Sequence, residues 1–416
     1  MEFVRIRKEE ESYILYFPSE RLTTVVNEVG AEITDMFFNK NMKVSEISET
    51  LCEKYQGVDN LTLSKDVKEF LRDLKKRISI SNINLVEQKK LMYPLGAEVE
   101  ITSGCNLRCK HCFQGEYKEE FMPFEEFKEI IDILKENNVY EINLVGGEVF
   151  HHKDAMKMIK YVSDSDMVLT IVTNATLISD EEIKELSKIK YLYVLISLDG
   201  NKTIHEVIRG KGTYDKTVNT AKKLKEAGIN VEFLYTLNAI NISVYKEAVE
   251  YSREIDIPIN FNLFKPFSKT GHENLVISPE KFFEAVEDLL NLRVKKGYKI
   301  GVSNAAIVSY ALGLPDKNEC TATLSGLVIN KNKKMLACPY LVECGYHNAL
   351  ELPKFDKNFL NEWRDGEYFN KFRSNGLKNC QACSYIYSGD VKGFDPYGIE
   401  AYKKYRENKK QGWWYA

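Results

Sequence analysis

The sequence has no apolar run long enough to cross a bilayer. Its N-terminus, MEFVRIRKEEESYILYF, carries acidic residues where an export signal needs an apolar core. That argues for a cytoplasmic protein with no membrane partner. A positive excess is missing too: 58 Lys and Arg stand against 61 Asp and Glu, interspersed, so no nucleic-acid partner is expected. There is no low-complexity tract, and no repeat beyond an alternation of strand and helix patterns. What remains is 416 residues, 44% hydrophobic and 29% charged, which is long enough for two or three globular units.

Cysteine is the exception to this ordinary composition. Cys105, Cys109 and Cys112 form one group, and Cys320, Cys338, Cys344, Cys380 and Cys383 a second. A secreted disulfide scaffold is shorter and denser in cysteine, so grouped thiols in a chain of this kind point to metal binding or chemistry. Cys52 stands alone on the apolar face of ISETLCEKY and reads as a buried, inert thiol.

Residues 1–80 read as a self-contained unit. FVRIR, SYILYF and LTTVV are short strands, and three helical patterns follow. Val29, Ile33, Met36 and Phe37 share a face in the first, Ser45 is a candidate cap for the second, and Leu63, Val67, Phe70, Leu71 and Leu74 form a stripe on the third. Residues 81–96 read as a linker. Residues 97–270 alternate strands (AEVEIT, EINLV, VLTIV, LYVLISL, VEFLYTL, INFNLF) with amphipathic helices. Six such units imply a parallel sheet curled into a partial (β/α)6 TIM-like barrel. A helical segment, 271–316, bridges to a cysteine-bearing region, 317–390, with a hairpin at GLVINKNKKMLAC, and 391–416 form a tail. The predicted class is α/β, flanked by a winged-helix domain and a small cysteine-rich domain.

The first three cysteines follow the first barrel strand, at the end where parallel α/β folds place their active sites. A structural zinc site takes four ligands in paired knuckles, whereas this loop offers three thiolates, with His111 awkwardly placed between two of them. An iron–sulfur cube with one iron left open fits the spacing better.

C-x3-C-x2-C after the first strand of a βα barrel resembles the radical S-adenosylmethionine (SAM) enzymes, in which SAM chelates the open iron of a [4Fe–4S] cluster. The resemblance continues in order along the strands. NLVGGEVF places Gly146, Gly147 and Glu148 where the methionine amino group is held. VTNATL places Thr173 and Asn174, and ISLDG places Ser197, a ribose contact, and Asp199. IRGKGTY supplies Arg209 as a carboxylate clamp, and His111 occupies the usual aromatic position before the third cysteine. Two positions depart from the family pattern: Val149 replaces a common Pro, and TNA replaces TNG.

By spacing alone, Cys320, Cys338, Cys380 and Cys383 suit structural zinc or a second iron–sulfur cube. Their arrangement resembles the twitch domain, a shortened SPASM domain, which implies one auxiliary [4Fe–4S] cluster. Cys344 is left over, a structural thiol in the loop after the hairpin, a substitute ligand or a hydrogen-atom donor. Residues 1–80 resemble the PqqD-like recognition element of enzymes that mature ribosomally synthesised, post-translationally modified peptides (RiPPs). That implies a precursor peptide whose leader adds as a strand near Leu22–Val26.

Together these resemblances imply a sactisynthase-like RiPP maturase that forms thioethers between a Cys sulfur and a peptide carbon. A one-electron reductant such as flavodoxin or ferredoxin would serve it. The alternatives are a radical SAM peptide epimerase, a carbon–carbon cross-linking enzyme or a dehydrogenase, and, outside enzymes, a zinc-binding winged-helix regulator.

Overall fold

The computed structural model describes residues 3–55, 57–80, 91–114, 118–266, 272–303, 320–376 and 380–411. Most of the expected linker, residues 81–90, lies outside them, as do 304–316 of the bridging segment and the final 412–416. The chain divides into two compact units, 1–92 and 93–416.

In the first unit β1 (Arg5–Lys8), β2 (Tyr13–Phe17) and β3 (Leu22–Val26) form an antiparallel meander in that order. Three helices follow: α1 (Glu28–Thr34), α2 (Val44–Lys54) and α3 (Asn60–Ile80). Leu15, Phe17 and Leu22 from the sheet meet Ile33, Ile47, Leu51, Val67, Leu71 and Leu74 from the helices in one core. The periodic stripes predicted most of this core, with Val29, Leu63 and Phe70 only partly buried at its edge. Residues Asp35–Asn39 form a π turn after α1, which rotates Phe38 into the core and leaves Phe37 at its edge.

Two local expectations fail in this unit. The α2 cap is not Ser45: the chain enters at Lys43, whose N–H donates to the Glu46 carboxylate at 2.6 Å. Cys52 is not buried. It is partly exposed, and its thiol points to the Val58 carbonyl at 3.1 Å, because α2 turns that edge of its face past the end of the core.

The second unit is built on a nine-stranded sheet. Its strands are β4 (Gly96–Thr102), β5 (Glu141–Gly146), β6 (Val168–Thr173), β7 (Leu192–Ser197), β8 (Asn230–Leu237), β9 (Ile259–Leu263), β10 (Ile300–Val302), β11 (Gly326–Ile329) and β12 (Met335–Leu336). All six predicted barrel strands form, parallel and in sequential order. The connecting helices are α4 (Phe124–Glu136), α5 (Ala155–Asp164), α6 (Asp180–Leu186), α7 (Lys202–Arg209), α8 (Thr213–Glu226) and α9 (Tyr245–Glu254), and α10 (Pro279–Lys296) precedes β10.

Local chemistry sets several helix ends. Ser179 and Glu182 close the predicted capping box on α6, and Gly297, at φ 68°, stops α10.

The sheet runs further than six strands. β10 adds in parallel to β9, and β11 adds in parallel to β4, with Leu327 opposite Ala97. The predicted hairpin, β11–β12, is therefore the far edge of the main sheet, and the cysteine-bearing region does not separate as a small domain. An open strand edge with unpaired N–H and C=O groups is the physical reason for both additions. The end of the chain also joins this unit: helix Pro396–Gln411 packs Tyr397 on Phe282, and the Tyr397 hydroxyl donates to the Ile277 carbonyl at 2.6 Å.

Strand alternation then decides what each side chain does. Val99, Leu144, Ile171, Ile196 and Phe233 are buried under the helices. The other set, including Val145, Val172, Ser197, Thr236 and Asn262, faces the concave side and lines a pocket.

Candidate active site

The pocket opens at the C-terminal ends of β4 to β9. Cys105, Cys109 and Cys112 line it, together with His111, Gly146, Gly147, Thr173, Asn174, Ser197 and Arg209. Nearly all the residues singled out after the barrel strands therefore converge.

The cysteine loop is held from three sides. Lys110 N–H donates to the Ile208 carbonyl on α7 at 2.9 Å, and Cys112 N–H closes a turn on the Cys109 carbonyl at 3.1 Å. Asn106 joins Asn174 and Thr176 in a triangle of side-chain hydrogen bonds of 2.6–3.0 Å. Gly147 N–H donates to the Thr102 carbonyl and Glu148 N–H to the Gly104 carbonyl, at 2.8 and 2.9 Å.

This last pairing explains the glycines. A Cβ on Gly147 would stand 2.3 Å from the Gly104 carbonyl oxygen, and one on Gly146 2.6 Å from that of Thr102. The small residues let β5 approach the cysteine loop itself. Gly147→Ala is expected to cost about 1–3 kcal/mol, as overpacking does, because the opposing atoms are backbone. A lowered thermal midpoint together with reduced iron loading checks this; an unchanged midpoint refutes it.

Glu148 is 1% exposed, and both its oxygens are engaged within the protein. It accepts from the Thr173 hydroxyl at 2.6 Å, Phe150 N–H at 3.1 Å and Asn174 N–H at 2.7 Å. In this structure it fixes the ends of β5 and β6 against each other. Val149, in place of proline, is fully buried and starts a short 3-10 turn. Ala175, in place of glycine, takes a left-handed φ of 59°, a conformation that costs roughly 1–2 kcal/mol outside glycine.

Asp199 and Arg209 form the electrostatic centre. Asp199 is fully buried, and its Oδ2 lies 2.5 Å from Arg209 Nε and 3.2 Å from His111 Nε2. Its Oδ1 accepts from Thr236 N–H at 3.0 Å. Burial opposes its charge, but Arg209 and His111 outweigh that and hold the carboxyl well below its usual range. Arg209 Nη1 reaches to 3.8 Å from the Cys109 sulfur. The guanidinium expected as a ligand clamp is therefore half committed to Asp199, with its other arm over the cysteine loop. His205, buried beside them, accepts from Asp199 N–H through Nδ1 at 3.2 Å; burial and then Arg209 push it down to about 4, so it is neutral.

The second cysteine group is gathered more loosely. Cys380 and Cys383 flank the start of helix Gln381–Ser388, and Cys320 and Cys338 lie within electrostatic range of Cys380. Cys344 stands apart from that role. It ends the short helix Pro339–Glu343, is 5% exposed, and points its sulfur at the Leu341 carbonyl at 3.6 Å.

Sequence reasoning missed Lys265, Tyr340 and Phe113, which also line the pocket. Lys265 stands two residues beyond β9, the position where the other strands carry their functional residues, but one lysine among many carried no signal.

The donor chemistry fits iron–sulfur groups at both places. Burial pushes the Cys109 thiol up to about 11 and the Cys338 thiol up to about 12 despite nearby cations, so each would give up its proton only on binding a metal centre. Among the described residues no three His, Cys, Asp or Glu side chains close on one ion.

Residues 99–251 match the family model described as the radical SAM superfamily. The chain therefore carries a radical SAM domain. Residues 13–78 match the model for coenzyme PQQ synthesis protein D (PqqD), so the radical SAM domain follows a PqqD-type recognition element. The mycofactocin maturase MftC of Mycolicibacterium smegmatis is 25% identical over 73% of this chain and 79% of its own length. The antilisterial bacteriocin subtilosin biosynthesis protein AlbA of Bacillus subtilis is 32% identical over 42% of this chain and 40% of its own. Among solved structures, Streptococcus suis SuiB bound to its precursor peptide SuiA superposes with a TM-score of 0.70 at 16% identity, covering 94% of this chain and 97% of that one. This likeness shows a shared fold. Among the described residues no helix is long and apolar enough to cross a membrane.

Proposed function

We propose that this radical SAM protein matures a ribosomally made precursor peptide by joining a Cys sulfur to a peptide carbon. The observation that carries the reading is the presence of two cysteine groups in one unit, the first lining a pocket at the strand ends and the second within electrostatic reach of Lys265 in that pocket, with a PqqD-type match earlier in the sequence. The relatives named for a maturase and for bacteriocin biosynthesis support a peptide substrate.

Cys105, Cys109 and Cys112 are the proposed holders of a [4Fe–4S] cluster that, when loaded and reduced, supplies the electron for cleaving SAM to methionine and a 5′-deoxyadenosyl radical. The protein's own contribution is positional. Gly146 and Gly147 bring β5 against the cysteine loop, Thr173, Asn174 and Ser197 present polar groups to the bound nucleoside, and Arg209 keeps a cation beside Cys109. The apolar residues Val145, Val172, Leu263 and Phe264 limit water in the pocket.

Thioether formation is a net two-electron oxidation. One hydrogen atom leaves the peptide carbon to the deoxyadenosyl radical; closing the sulfur–carbon bond then releases the thiol proton and one electron. Accepting that electron is the role proposed for an auxiliary [4Fe–4S] group on Cys320, Cys338, Cys380 and Cys383. A flavodoxin or ferredoxin is the proposed donor at the start of the cycle. The leader is proposed to pair with β3, which is an edge strand in the first unit.

The test uses the anaerobic full chain with SAM, a reductant and a cysteine-bearing precursor peptide. Each bridge is expected to lower the peptide mass by about two hydrogen atoms, those lost on oxidation. A peptide of unchanged mass, or one epimerised without loss of mass, overturns the cross-linking reading. Removing the leader is expected to weaken binding to the full chain while 5′-deoxyadenosine release persists.

A further inference from the structure

Lys265 joins the two cysteine groups. It lines the pocket shared with Cys105, Cys109 and Cys112, and its ammonium lies within electrostatic reach of Cys380. Cys338 and Cys383 lie within its electrostatic reach as well. Its Nζ also sits 4.5 Å from the ring centroid of Tyr340, two residues after Cys338. Tyr340 in turn packs on Phe113, the residue after Cys112, with ring centroids 5.9 Å apart. Phe264 and Leu275 close the apolar cluster around these rings.

Burying a lysine ammonium is unfavourable unless it is paired. Among the described residues no carboxylate forms an ion pair with Lys265; an aromatic face lies against it and cysteine sulfurs act on it electrostatically. A cation with that environment is suited to a centre whose negative charge is carried by sulfur. Reduction adds one negative charge to such a centre. Hydrogen bonds to the sulfurs and nearby positive charge both stabilise the reduced form, and so raise the potential.

We propose that Lys265 sets the reduction potential of the auxiliary iron–sulfur centre, holding it high enough to take up the electron released as the thioether closes. Lys265 is a positioning residue on this account, acting through the centre rather than on the peptide. The inference rests on the auxiliary site of the proposed function. It goes beyond that reading by naming the side chain that tunes the site and the side from which it does so, the pocket side. The residues between the two groups, Phe113, Tyr340 and Lys265, place that charge on the face turned toward the substrate.

The experiment is an anaerobic redox titration followed by electron paramagnetic resonance. It uses the full chain in which Cys105, Cys109 and Cys112 are alanine, so that only the auxiliary centre reports. In this background Lys265→Met is expected to shift the midpoint to lower potential, while Lys265→Arg, which keeps the charge and the donor, leaves it near the parent value. An unchanged midpoint in Lys265→Met overturns the inference. Loss of iron in Lys265→Met with retention in Lys265→Arg also overturns it, since the lysine would then serve assembly. Absence of an iron–sulfur signal from the parent itself sinks the auxiliary-site reading instead, so the two failures are distinguishable.

Discussion

Alanine at Cys105, Cys109 and Cys112 together is expected to abolish SAM cleavage, measured as 5′-deoxyadenosine released under reducing, anaerobic conditions. The three thiols line one pocket with Gly146, Thr173, Asn174, Ser197 and Arg209, and no described side chain in that lining replaces a lost sulfur. His111 faces Asp199 and Arg209, so it does not stand in as a ligand. Iron content should fall by about four per chain, the content of one cube. The fold itself should survive, because the cysteines lie on a loop whose backbone is tied down by Lys110 and Asn106. Persistent deoxyadenosine production by the triple variant would end the radical SAM assignment of this pocket.

The second large effect concerns stability. Asp199→Ala removes the only carboxylate in an ion pair with Arg209 among the described residues, and leaves that guanidinium, 10% exposed, without its ion-pair partner. Breaking a buried pair from one side costs about 3–5 kcal/mol. The Thr236 N–H and the His111 Nε2 lose their acceptor in the same step. Urea unfolding of parent and variant at neutral pH measures the difference, and a loss below about 1 kcal/mol, the size of a surface pair, would show that Arg209 finds solvent.

The pH dependence has a definite sign. The Asp199 carboxyl lies below its unfolded value of about 3.9, so its contribution is complete above that pH and disappears only as the pH falls through the folded value. The gap between parent and variant should stay constant from neutral pH down to roughly 5 and narrow only in stronger acid. A gap that narrows already near pH 6 would assign the effect to a histidine.

How much of this was legible beforehand differs by element. The three-cysteine loop and the residues at the ends of β5, β6 and β7 could be placed because side-chain type and strand order coincide: each follows an apolar run that can only be a buried parallel strand. Glu148 shows the limit of that reading. Its position at a strand end was predictable, but its saturation by Thr173, Asn174 and Phe150 depends on β6 lying beside β5 at one particular height. The positive φ of Ala175 was equally invisible, since nothing about an alanine announces a left-handed turn. Cys52 was misplaced because helical periodicity tells which way a residue points, not where the neighbouring core ends.

Local sequence by itself determined the strands and helices of the barrel, the α6 cap and the loop that presents three thiols, because these depend on periodicity, capping and short spacing. The tertiary structure alone decided that the cysteine hairpin extends the main sheet along β4, that Asp199 neutralises Arg209, and that Lys265 lines the pocket of the first cysteine group within electrostatic reach of the second. Those outcomes bring together residues from about 10 to over 200 positions apart in the chain. Only strand-edge hydrogen bonding and the need to pair buried charge select them.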